Sequence, residues 1–98
     1  MPERRGSPRV AVSLDCVLRR RTGSDIAART VDVGPGGMSV STTRPLSTDE
    51  VLHFDLPLQG ATMDGEARVL REQGYRVYAL RFESIAEQAR SELARMAG

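Results

Sequence analysis

The chain has 98 residues, 40% of them hydrophobic, and carries a net charge of +1 with one cysteine and four aromatic residues. That is enough apolar material for one small core and too little chain for two domains. The near-neutral charge and scarce aromatics exclude a broad nucleic-acid binder, and a single thiol excludes an internal disulfide or a cysteine-cluster metal site.

The charge is unevenly spread. Residues 1–31 hold seven Arg against three acids, and residues 32–98 hold seven Arg against ten acids. Residues 1–9 are polar, contain two prolines and a glycine, and show no apolar period, so they read as an arm preceding a single domain over 10–98. No apolar run is long enough to span a membrane and no signal-peptide core follows Met1, so the expectation is a cytoplasmic protein without membrane insertion, a monomer or weak dimer.

From Val10 the pattern becomes strand-like. Val10, Val12, Leu14, Cys16 and Leu18 recur at every second position, which predicts one strand with a buried face and an inert core thiol at Cys16. Arg19-Arg20-Arg21 and the turn chemistry of Thr22-Gly23-Ser24-Asp25 close it. A second strand is expected over Ile26 to Val33, with Ala27, Val31 and Val33 on one face and Asp32 on the other. It ends at Gly34-Pro35-Gly36-Gly37. A third follows from Met38 to Thr43, with Met38 and Val40 inward.

Val51 to Leu56 predicts a fourth strand that Pro57 terminates, because proline cannot donate to a ladder. It leaves His53 facing outward with Asp55 as the only acid on its face, a poor basis for a metal or acid/base role. Thr62 to Arg71 is the fifth strand, with Met63, Gly65, Ala67 and Val69 together. Glu72-Gln73-Gly74 reads as a hairpin loop, and Tyr75 to Phe82 as the sixth strand, with Tyr78, Leu80 and Phe82 inward. Ser84-Ile85-Ala86-Glu87 has the form of a capping box and predicts a helix at about 84–97, carrying Ile85, Ala89, Leu93 and Met96 at helical spacing. The fold expected is mainly β, six strands in an antiparallel sheet closed or nearly closed into a barrel, with a C-terminal helix.

Catalysis has little to stand on, since the chain offers one outward His, one inward Cys and serines without a recognisable base. The glycine-rich turn lacks the Lys-Ser/Thr ending of a P-loop and leads into a strand. Recognition chemistry is better supplied. Arg5 and Arg9, with Arg4 beside them, can approach a compact anion from two sides through charge-assisted bonds, and guanidinium planes also stack on purines. The Asp32 carboxylate can accept from the paired N–H donors of a guanine edge, while Gly34, Gly36 and Gly37 leave open backbone around it.

In this order the two stretches resemble the PilZ domain, the bacterial receptor module for cyclic di-GMP. Arg5-Gly6-Ser7-Pro8-Arg9 matches the family's arginine-x-x-x-arginine motif, with Arg4 as an extra arginine before it. Asp32-Val33-Gly34-Pro35-Gly36-Gly37 matches its Asp/Asn-x-Ser/Ala-x-x-Gly motif, except that Gly34 stands where serine or alanine is expected. The resemblance implies a six-stranded PilZ-type barrel, no enzymatic activity and no cofactor. It implies cyclic di-GMP as ligand, held by Arg4, Arg5, Arg9, Asp32, Gly34, Gly36 and Gly37, and an adaptor role toward an unidentified protein partner. A barrel of the same kind that no longer binds nucleotide and acts only in protein contacts is the alternative.

Overall fold

The computed structural model of the chain describes residues 9–58 and 61–85. Its strands are β1 (Val10–Ala11), β2 (Asp15–Arg19), β3 (Asp25–Val33), β4 (Gly37–Thr42), β5 (Val51–Leu58), β6 (Ala61–Gly74) and β7 (Val77–Ile85). All pairings are antiparallel, in the order β3-β2-β5-β6-β7-β4, and pairing of β4 with β3 closes the ring. The result is a six-stranded closed barrel, with β1 continuing the line of β2 along the same edge of β3. Closure leaves the six strands no free edge to pair with another chain. Among the described residues no helix is long and apolar enough to cross a membrane.

Alternation placed the core well. Cys16, Leu18, Met38, Val40, Leu52, Phe54 and Leu56 are all buried, as are Met63, Ala67, Val69, Tyr78, Leu80 and Phe82. Phe54 of β5 and Phe82 of β7 stack across the interior with ring centroids 5.1 Å apart. Between β4 and β5 the chain dips Leu46 into the same core. Arg20 holds that connection down, donating from Nε to Glu50 Oε2 at 2.7 Å and from a terminal nitrogen to the Pro45 carbonyl at 2.7 Å.

The first expected strand is broken. Ala11 pairs with Asp32 and Asp15 with Arg29, so three residues on one side face two on the other and the ladder lapses over residues 12–14. Thr30 repairs the gap with its side chain, which accepts the Leu14 N–H at 2.8 Å and donates to the Val12 carbonyl. The face expected for β3 is corrected too: Ile26, Ala28 and Thr30 are buried, whereas Ala27 and Val31 are exposed. On the β4 side Thr30 pairs with Val40 and Asp32 with Ser39, which leaves Val31 as an extra, bulged residue. A bulge resets the two-residue alternation. Val33 therefore returns to the core, and Asp32 is carried to the outer face.

Three boundaries also move. β5 runs through Pro57 to Leu58; β2 pairs with β5 only as far as Asp55, so the proline lies where β6 alone is its partner. The β6–β7 turn is Tyr75–Arg76 instead of 72–74, with Arg76 at φ 57°. Its left-handed backbone is held by the Arg76 N–H donating to Glu72 Oε2 at 2.9 Å and by its guanidinium donating to the Thr43 carbonyl at 2.9 Å. Finally, Ser84 is a strand residue paired with Glu66 and not a helix cap, because β7 extends to Ile85. The rest of the expected helix lies outside the described residues.

Candidate functional site

Asp32 reaches the barrel exterior through the bulge at Val31, and the chain entering β1 passes directly beside it. There the Arg9 guanidinium meets the Asp32 carboxylate at 2.5 Å, an ion pair spanning 23 positions of sequence. Both side chains remain partly open to water, at 21% and 28% exposure. One member of each motif is thus brought to a single point. Arg4 and Arg5 lie outside the described residues.

The three glycines have separate circumstances. The Gly34 N–H donates to the Gly37 carbonyl at 2.9 Å, which closes the turn, and the Gly36 carbonyl accepts the Phe82 N–H at 3.0 Å, which ties the turn to β7. Gly34 is buried and is not among the residues at positive φ. At Gly37 a Cβ would lie 2.2 Å from the Leu80 carbonyl oxygen. The barrel itself, through the close approach of β7, requires glycine there.

Beside Asp32 the outer face is built of small residues. Ser39 of β4 stands across the ladder from Asp32, and Ala79 of β7 stands across from Ser39. Both are almost fully buried although they point away from the core. The Ser39 hydroxyl donates to Gln73 Oε1 at 3.2 Å. The sequence carries a signal for this close packing: outward positions of two strands are occupied by Ser and Ala, where larger polar residues are usual. One rung along, Arg81 stands opposite Gly37 and is engaged by Glu83 at 2.9 Å, which also takes Arg68 at 3.2 Å. Those two arginines hold the Glu83 carboxyl below its ordinary range.

The remaining chemistry-bearing residues are elsewhere. Burial, and secondarily the charge of Asp55, pushes the Cys16 thiol up to about 12, so it remains protonated and inert at neutral pH. His53 is outward on β5 as expected, but it has more company than Asp55: Asp64 of β6 also reaches it.

The PilZ domain family model matches residues 3–97. Among solved structures, the Bacillus subtilis inhibitor of motility, MotI/DgrA, superposes with a TM-score of 0.84 at 20% identity, over 98% of this chain and 50% of its own. This chain therefore spans about half the length of that protein. The PilZ domain of YcgR from Escherichia coli, solved with c-di-GMP, gives 0.77 at 17% identity over 97% of this chain and 89% of its own. The PilZ domain of CeSA from a cellulose-synthesizing bacterium gives 0.70 at 21% identity over 91% and 93%. At these identities the likeness establishes the shared fold. Among curated proteins none matches the sequence.

Proposed function

The chain belongs to the PilZ domain family, and from that premise we propose that it is a cyclic di-GMP receptor whose arginine arm closes on the nucleotide and reshapes a surface for a protein partner. The observation that supports this reading is the Arg9–Asp32 ion pair, which brings one residue of each motif into contact beside small residues of β4 and β7. PilZ domains are cyclic di-GMP receptor modules, and the YcgR neighbour was solved with that nucleotide.

Binding is then an exchange of partners. The phosphate takes the Arg9 guanidinium and the guanine N–H edge takes the Asp32 carboxylate, so neither charge is left unpaired when the ligand enters. Arg4 and Arg5 add further cations from the arm. Release of Arg9 from Asp32 frees the arm to fold over the nucleotide, and this rearranged arm is the surface a partner reads. A neighbour named as an inhibitor of motility fits a domain that acts on another component.

A nucleotide-silent domain of the same fold is the second reading, and Gly34 favours it. Calorimetric titration with cyclic di-GMP decides between them. Saturable binding is expected, weakened at least roughly tenfold by Arg9→Ala, since hydrogen bonds to charged groups contribute about 1.5–3 kcal/mol each. The thermal midpoint of the nucleotide-free protein should move little, because both side chains keep contact with water, which can hydrate the Asp32 carboxylate left behind. No heat and no chemical-shift change at millimolar nucleotide, for the wild type and for Gly34→Ser alike, would reject the receptor and leave the protein-contact domain.

A further inference from the structure

On the far side of the ring from Asp32, the β2–β5–β6 face gathers an imidazole and two carboxylates. His53 and Asp55 are two apart on β5 and so project to the same side, while Asp64 of β6 stands directly across the ladder from Asp55. His53 Nε2 lies 3.7 Å from Asp55 Oδ1 and 3.4 Å from Asp64 Oδ2, and one ligand atom from each of the three lies within 4.8 Å of the others.

We propose that His53, Asp55 and Asp64 form a surface site for a divalent transition-metal ion of the zinc type. The two imidazole–carboxylate spacings are close to what such an ion needs: bonds of about 2.0–2.2 Å in a tetrahedral ion put neighbouring ligands roughly 3.3–3.6 Å apart. The donor set fits as well, because an imidazole with carboxylates suits zinc or nickel, whereas magnesium prefers oxygen alone in a tighter octahedron. Three protein ligands leave the fourth position to water.

Two further features bear on the site. Like charges directly opposite one another in a ladder repel, and Asp55 and Asp64 are such a pair. Arg19 answers half of that repulsion, with a terminal nitrogen 2.5 Å from Asp55 Oδ2 and its Nε 3.6 Å from Asp25. This leaves Asp55 Oδ1 turned toward His53 and fixes the carboxylate as an outer-shell partner does at metal centres. Among the described residues Asp64 has no ion-pairing partner beyond its contact with the imidazole, and a cation bridging the three groups removes the remaining repulsion.

The ligands sit on two rungs of the β5–β6 ladder in a closed barrel, so the site is held by backbone and does not depend on the arm. Metal binding would tie β5 to β6 without touching Arg9 or Asp32. The three side chains are 40%, 25% and 61% exposed, so their replacement leaves the core intact.

The test is calorimetry of the tag-free chain with zinc chloride, paired with thermal melts. One saturable zinc site and a raised midpoint are expected. His53→Ala and Asp64→Asn should each weaken zinc binding at least tenfold and abolish the shift in midpoint. Glu66→Gln, a carboxylate of the same strand outside the converging set, should bind as the wild type does. Cyclic di-GMP affinity should be unchanged by His53→Ala. Zinc heats equal in the wild type and His53→Ala would overturn the proposal. So would equal losses at Glu66 and Asp64, which mark a diffuse acidic patch, or magnesium binding that survives His53→Ala.

Discussion

An added Cβ at Gly37 would press on the Leu80 carbonyl oxygen at 2.2 Å, and backbone cannot move aside as a side-chain tip can. Gly37→Ala is therefore expected to cost about 1–3 kcal/mol, the usual range for overpacking, and to lower the thermal midpoint by several degrees with or without nucleotide. A loss of affinity at an unchanged midpoint would return Gly37 to the ligand. Gly34 is the opposite case. Its φ is outside the left-handed region, so the backbone dihedral does not bar serine, and one neutral hydrogen bond of about 0.5–1.5 kcal/mol corresponds to roughly three- to tenfold in affinity. Gly34→Ser should tighten cyclic di-GMP by that factor in calorimetry; weaker binding would mean that the buried turn has no room for the hydroxyl. The motif itself separates them, since it calls for glycine at 37 and for serine or alanine at 34; the close approach of β7 gives the physical reason at Gly37.

At the scale of elements, the connection between β4 and β5 shows how a charged contact positions a loop. Burial alone would raise the Glu50 carboxyl, but the Arg20 hydrogen bond, the Ser47 N–H and the Arg20 charge together hold it below its ordinary range. A depressed carboxyl stabilises the fold above its unfolded value of about 4.3, and that contribution fades as pH falls through the lower folded value. Melts of the wild type and Glu50→Gln should therefore differ at pH 7 and converge toward pH 3. A gap that persists in acid would assign the effect to packing. The strands of the barrel were legible because alternation reports a buried face directly, and it served well for β4 through β7. It failed where the period itself slips. The break over residues 12–14 and the bulge at Val31 depend on Thr30 bonding across the ladder, an event between strands that no single stretch reveals. The β6–β7 turn was misplaced for a related reason: Gly74 attracted the turn, while the positive φ falls on Arg76.

For the whole molecule, the closed ring was legible from six short strands with no provision for exposed edges, and so was the family, whose motif halves stand in plain sight. Their meeting was not. Arg9 and Asp32 become neighbours because β1 pairs with the end of β3 and the bulge at Val31 turns Asp32 outward, a property of topology. The His53, Asp55 and Asp64 cluster was hidden likewise, since Asp64 joins it only through the β5–β6 register. The extra residue at Val31 has a consequence for how such a site can be lost. Val31 is unpaired on the β4 side, so a chain lacking it alternates without interruption from Thr30, with Asp32 still outward and Val33 still in the core. The deletion variant is therefore expected to stay folded by circular dichroism, as Asp32→Ala does, but only Asp32→Ala should bind less. A deletion variant that is unfolded would contradict this. Ligand recognition here is erased by exchanging one letter, whereas removing the letter beside it leaves the reading of the two faces unchanged.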